Sequence, residues 1–250
     1  MRYFRLVYRL IGLILIQILV GVLALAGVLV LLPFRKLRYR LILYLMNLWG
    51  KLGCWIMNFQ VRREGDSDSG PGGVLIVSNH IGTVDIFVIA ACFKTFFVSK
   101  SDVRSWPVIG QLAQLGGTIF IDRTRKIQVS AMVRNMTSRL ESGYSVAVFP
   151  EGGTTLGQRV EPFKSSAFEA VIQSRRAVLP VVIRYFEAGE PSVACWPDEI
   201  SFLENMIQLF MHPRLTVQVT ILPEVTGGSN RRALAHQCRQ LISEQFEQMK

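Results

Sequence analysis

Val74-Leu75-Ile76-Val77-Ser78-Asn79-His80-Ile81-Gly82-Thr83-Val84-Asp85 passes from four consecutive apolar residues into a short polar turn and back toward an apolar stretch. A short apolar run rich in β-branched residues, closed by a turn, predicts a buried strand leading into a helix. His80, one of three histidines in the chain, then stands at the carboxyl end of that strand, five residues before Asp85. On one regular helix, residues five apart point about 140° apart around the axis. The two side chains therefore meet only if His80 lies in the turn and the helix begins near Thr83. Thr83 is a good N-cap residue, and the helix dipole favours Asp85 in the first turn. A neutral imidazole oriented by a carboxylate is the unit of general-base chemistry. A histidine satisfied structurally in a strand-to-helix loop gives the same local pattern, so the rest of the chain has to discriminate.

Outward from this stretch, short apolar runs alternate with longer helical patterns. Strands are predicted over Val74–Ser78, Thr95–Ser99, Thr118–Ile121, Ser145–Phe149, Val178–Arg184 and Leu215–Leu222, and helices over Val84–Phe93, Lys126–Glu141, Ser165–Ser174, Ile200–Met211 and Arg231–Gln248. This alternation predicts an α/β fold: a mixed, mostly parallel sheet flanked by helices, with its ligand site at the carboxyl ends of the strands. A polar, Gly-rich connector over residues 64–73 separates that domain, residues 74–250, from an N-terminal part, residues 1–63.

The N-terminal part holds the chain's excess charge. Ten of the 28 basic residues fall within residues 1–63, which contain no Asp or Glu, while the remaining 18 are matched by 18 acidic residues. Basic residues interleaved with apolar sequence suit an anionic lipid surface and argue against a nucleic-acid partner. Leu10 to Phe34 is an uncharged run of 25 residues; as a helix it would extend about 37 Å, enough to cross a hydrocarbon core of about 30 Å. Ala24-Leu25-Ala26 resembles a signal-peptide cleavage site, but the apolar run continues beyond it. Leu41 to Phe59 places Asn47, Lys51, Cys54 and Asn58 on one helical face. Together with Tyr44, Trp49 and Trp55, this predicts an interfacial helix along a bilayer; an amphipathic helix packed on the α/β domain fits the same spacing. Residues 1–63 are thus read as a pair of membrane-anchoring helices. Basic residues on both sides of the first helix leave its orientation, and spanning against monotopic insertion, open. Cys54, Cys92, Cys195 and Cys238 are scattered without metal-binding spacing. They read as reduced, buried thiols of a cytosol-facing protein.

Further motifs fall at predicted strand ends: Phe120-Ile121-Asp122-Arg123, Phe149-Pro150-Glu151-Gly152-Gly153-Thr154-Thr155 and Val178-Leu179-Pro180-Val181. In order after Asn79-His80-x4-Asp85, and with Ser99-Lys100-Ser101, Trp106-Pro107-Val108-Ile109-Gly110 and Pro162-Phe163-Lys164-Ser165-Ser166 between and after them, the series resembles the lysophosphatidate acyltransferase family of glycerolipid acyltransferases. The likeness covers roughly residues 74–225. It implies a membrane-bound enzyme that moves a fatty acyl group from a thioester, acyl-CoA or the acyl carrier protein conjugate, to the hydroxyl of a lysolipid, with no bound cofactor and no metal. His80 would be the base and Asp85 its orienting acid. Thr83, Lys100, Phe120, Arg123, Glu151, Gly152 and Gly153 would bind substrates, with Arg123 on the acceptor's anionic head group and Glu151 accepting from a glycerol hydroxyl. The backbone N–H groups near Gly152-Gly153 are candidates for an oxyanion contact. One position departs from the pattern. Phosphatidate-forming members commonly carry Phe-Pro-Glu-Gly-Thr-Arg, and Thr154 stands here where that arginine is expected. The Thr-Thr ending and the Lys-Ser-Ser run resemble relatives that acylate lyso-ornithine lipid. The residues alone leave two further readings open, a membrane-anchored lipid hydrolase and a non-catalytic lipid-binding protein.

Overall fold

The computed structural model describes residues 1–65, 73–122, 125–186, 192–196, 199–228 and 230–249. Among these, seven strands form one sheet: β1 Phe59–Glu64, β2 Leu75–Ser78, β3 Thr95–Lys100, β4 Ile119–Ile121, β5 Ser145–Val148, β6 Val178–Phe186 and β7 Leu215–Ile221. The strand order is β1-β7-β6-β2-β5-β3-β4. Every neighbouring pair is parallel except β6 with β7. The expected α/β class and mostly parallel sheet are therefore present. Around the sheet lie α1 Arg2–Val30, α2 Arg35–Ile56, α3 Asp85–Cys92, α4 Ile109–Leu115, α5 Lys126–Glu141, α6 Glu169–Ser174, α7 Phe202–Met211 and α8 Arg231–Gln248. The central strands β2, β5 and β6 are buried almost throughout, as sheet strands covered on both faces must be.

Two elements escape the sequence pattern. Phe59–Glu64 was expected at the end of the second helix and the edge of the connector, but it forms β1, pairing in parallel with β7 from Phe59↔Leu215 to Glu64↔Thr220. Its residues Gln60, Arg62, Arg63 and Glu64 disguise an edge strand, where one side chain in two meets solvent. The boundary expected at residue 63 thus falls inside the sheet. Helix α4 was also not expected, since its seven residues are too few for periodicity to register.

Helix α2 is held against the domain through the face expected to be its polar one. Asn47 donates through Nδ2 to Ala90 O and Ala91 O, at 2.7 and 2.9 Å, two of the carbonyls that the end of α3 leaves unpaired. A Cβ at Gly50 would collide with the backbone of Ala90 and Ala91, and one at Gly53 with the Phe87 ring. Those two glycines let the helices approach closely. Of the expected aromatic face, Tyr44 and Trp55 remain exposed, while Trp49 stacks on Phe87 at 4.2 Å and donates to Gln17 Oε1 on α1.

Helix α1 buries Leu13, Ile16, Val20 and Ala24 at helical spacing and exposes the opposite side, including Ile11, Ile14, Leu15, Ile18, Leu19 and Val22. It is long and apolar enough to cross a membrane by length and composition. Two of its basic residues do not face outward. Arg9 is almost wholly buried, its guanidinium donating to the carbonyls of Leu209, Phe210, His212 and Pro213, and Arg5 donates to Met211 O. A planar cation with several N–H groups suits the cluster of carbonyls at the negative dipole end of α7.

Candidate active site

The parallel strands bring His80 (after β2), Glu151 (after β5), Lys100 (end of β3) and Phe120 (in β4) to the carboxyl edge of the sheet. The turn 79–84 follows from how β2 ends. β6 runs on past Ser78, and the Asn79 side chain takes the place of the missing neighbour: Nδ2 donates to Ile183 O and Oδ1 accepts from Ile183 N, both at 2.9 Å. The chain then turns, and α3 begins at Asp85 rather than at Thr83. The N-cap position belongs to Val84, without a side-chain cap; Thr83 instead sets its hydroxyl 3.5 Å from Asn205 Oδ1 and 3.7 Å from Met206 Sδ on α7. Its expected capping role is therefore corrected.

Asp85 supplies the organisation that a Thr83 cap would have provided. Its Oδ2 accepts from Ile81 N at 2.7 Å and Gly82 N at 3.0 Å, and it meets His80 Nδ1 at 2.8 Å. Oδ1 accepts from Tyr185 OH at 2.7 Å. The carboxylate has no exposed surface, so this set of donors is what makes its burial tolerable. The imidazole stacks on Phe149 with centroids 4.0 Å apart and keeps 16% of its side chain exposed. With Nδ1 engaged by the carboxylate, Nε2 is the ring nitrogen left for an incoming proton.

Glu151 lies directly behind His80. Its Oε1 accepts from the His80 amide at 3.2 Å, and Oε2 is buried with no hydrogen-bond partner among the described residues. Burial pushes its carboxyl up to about 8, against the pull of the His80 and Glu161 amides and with a further push from the Asp85 and Glu161 charges. Gly152 adopts a positive φ of 89°, and its N–H donates to Phe149 O, so that amide is already committed. Gly153 faces open space. Thr155 binds His80 O twice, through its N–H at 3.0 Å and its hydroxyl at 3.1 Å. Thr154 donates to Trp196 O at 2.7 Å, and Trp196 N donates to Ile81 O. Segment 192–196 thereby packs over the turn, and a Cβ at Gly82 would overlap Ala194 O. Trp196, Phe202 and Trp106 continue outward as a run of ring contacts at 5.6 and 5.0 Å.

The other expected residues divide. Lys100 is exposed and paired with Asp102 at 2.5 Å. Phe120 is half-buried in edge strand β4, paired with Ser99. Arg123 lies outside the described residues. An open cavity of about 820 Å³ lies elsewhere, at the amino ends of the strands, lined by Lys51, Trp55, Phe59, Val74, Lys94 and Ser145 among others; it contains none of these residues. Tyr185 and Trp196 were missed in the sequence. Tyr185 left a signal, since a phenol in an otherwise apolar strand demands a buried partner; Trp196 left none.

The acyltransferase family profile matches residues 59–184. The chain belongs to the acyltransferase family. Among relatives of this acyltransferase, a 1-acyl-sn-glycerol-3-phosphate acyltransferase of Neisseria gonorrhoeae is 36% identical over 175 residues, 69% of each chain. A lyso-ornithine lipid O-acyltransferase of Rhizobium meliloti is 31% identical over 215 residues, 80% of the acyltransferase and 73% of the relative. The crystal structure of the 1-acyl-sn-glycerophosphate acyltransferase PlsC from Thermotoga maritima superposes with a TM-score of 0.71 at 20% identity, over 100% of this chain and 98% of that one, so the two share a fold.

Proposed function

We propose that the acyltransferase transfers a fatty acyl group from a thioester to the free hydroxyl of a lysolipid, with His80 as general base. The observation that carries this reading is the 2.8 Å contact between His80 Nδ1 and an Asp85 whose other contacts are all donors. His80 Nε2 takes the hydroxyl proton as that oxygen attacks the thioester carbonyl, Asp85 stabilises the resulting imidazolium, and the proton passes to the departing thiolate. The acceptor is the nucleophile, so no acyl-enzyme is required. Arg123 would bind the acceptor's anionic head group, with Lys100 and Lys164 as further cations near the site. Acyl-CoA and acyl carrier protein conjugates are both suitable donors.

The acceptor we favour is 1-acylglycerol-3-phosphate, giving phosphatidate. Lyso-ornithine lipid is a second reading, supported by Thr154 at the position of the usual arginine and by relatives named for that activity. Purified protein offered both acceptors with one labelled acyl thioester decides between them by product mass, and free fatty acid alone would mean hydrolysis. His80→Ala should leave a folded protein with transfer reduced at least about 100-fold.

The long apolar helix and the family together point to membrane association. We propose that α1 lies along the membrane surface rather than through it, with the catalytic domain on the cytosolic side. Arg9 is tied to α7, Gly12 fits Ile56, Gly21 fits Leu112 of α4 and Gly27 fits Leu41. These contacts span about 27 Å of helix, so a spanning α1 would draw several domain helices into the hydrocarbon.

A further inference from the structure

The polar backbone groups of His80 are both held by side chains or amides from the loop after β5: its N–H by Glu151 Oε1, and its C=O by Thr155. The next two amides, of Ile81 and Gly82, are held by Asp85. The base is thus fixed from two sides by two acidic side chains, only one of which touches the imidazole. An acceptor hydroxyl would need a reachable carboxylate oxygen on Glu151. Oε1 is taken by the His80 amide, and Oε2 is sealed from solvent. The amides of His80 and Glu161 favour a charged carboxylate here, but Oε2 has no partner in hydrogen-bond geometry and burial beside a second buried carboxylate outweighs them, whereas a carboxylic acid carries a much smaller desolvation penalty.

We propose that Glu151 is a positioning residue that works as a neutral carboxylic acid, holding the His80 backbone through Oε1, and that it does not receive the acceptor's hydroxyl. This rests on acyl transfer through His80. The groups that face it divide: the amides of His80, from the end of β2, and of Glu161, from the segment before α6, favour the charged form, while the carboxylates of Asp85, from the start of α3, and of Glu161 oppose it. The Lys164 backbone N–H donates to Pro150 O at 2.9 Å, which ties the segment after Glu161 to the turn that carries Glu151. Burial, the largest influence, acts in the same direction as the two carboxylates and sets the carboxyl at about 8.

The test measures kcat and acceptor KM for the full-length protein in phospholipid vesicles, with acyl-CoA and 1-acylglycerol-3-phosphate or lyso-ornithine lipid, between about pH 6 and about pH 9.5. Wild-type kcat should fall as pH rises through about 8 while acceptor KM holds. Glu151→Gln, which keeps an accepting oxygen without charge, should retain kcat within about tenfold and lose the alkaline fall. Glu151→Ala should lose at least about 100-fold in kcat with KM changed by less than about threefold. A Gln variant as impaired as the Ala variant, a loss carried by acceptor KM, or a wild-type kcat flat through the alkaline range would each overturn the proposal. The wild-type profile and the Gln variant suffice if Glu151→Ala does not fold. Absence of diacyl product from wild-type protein with either acceptor would overturn the acyl-transfer reading itself, and this proposal with it.

Discussion

Tyr185 donates its phenolic hydrogen to Asp85 Oδ1 at 2.7 Å, from the far end of β6 and 100 residues away in the chain. Burial, reinforced by the Asp85 charge, holds the phenol well above its ordinary value, so it remains a donor across the working pH range. The bond fills the one side of the carboxylate that the turn 80–82 does not reach.

Tyr185→Phe keeps the ring and removes the donor. Hydrogen bonds to charged groups contribute about 1.5–3 kcal/mol, so the variant should unfold with stability reduced by about that amount in chemical denaturation. We expect kcat to fall about tenfold with acceptor KM unchanged, because Asp85 can then rotate away from His80. A KM effect without a kcat effect would place Tyr185 on the substrate instead.

Thr154 ties segment 192–196 to the site through Trp196 O. Thr154→Val, equal in size but without the hydroxyl, should lose about 1 kcal/mol of local stability. Hydrogen exchange at the Trp196 amide, which bonds to Ile81 O, should then speed up about fivefold. Thr154→Ser should exchange like wild type. Equal exchange in the Val and wild-type proteins would remove the tether.

Arg9 serves four carbonyls at the end of α7. Arg9→Ala leaves Phe210 O and His212 O without that donor, while Leu209 O keeps the His212 amide and Pro213 O keeps Asn58 Nδ2, and it should destabilise the protein by about 2–4 kcal/mol, read as a lower Tm in detergent. Arg9→Lys should recover little of this, since one ammonium cannot span a planar set of acceptors. Tm unchanged in both variants would mean that Arg9 is not a structural cap.

Glu151 also has a consequence for stability. Its folded carboxyl titrates at about 8 and its ordinary value is 4.5. Between those values the unfolded chain has released the proton that the folded chain keeps, so stability should decline as pH rises from about 4.5 to about 8 and then level off. Glu151→Gln lacks this decline. The difference in unfolding free energy between the two proteins should therefore change in favour of Gln by a few kcal/mol across that window, on the order set by about 1.4 kcal/mol per pH unit. A constant difference would indicate an ionised Glu151 in the native state.

Most of the sheet was legible because its signals are local. Val74–Val77, Ser145–Val148 and Val178–Ile183 are runs that only a doubly covered strand would bury, and the turns after them mark where reactive side chains collect. The His80-to-Asp85 spacing likewise carried its own geometry, since a turn followed by a helix is enough to let the two meet. Strand Phe59–Glu64 was illegible because an edge strand of charged residues looks like a connector, and its partner β7 lies more than 150 residues later.

Contacts between distant segments settled the remainder, because hydrogen-bond partners and close approach depend on where the chain returns rather than on its period. The run of apolar residues and the flanking basic residues were enough to mark an N-terminal helix long enough to enter a membrane. That Arg9 lies inside, capping α7, could come only from the fold. So could the other partners of the buried Asp85 and the sealing of Glu151 Oε2, since burial is a property of everything packed around an atom and not of its neighbours in sequence.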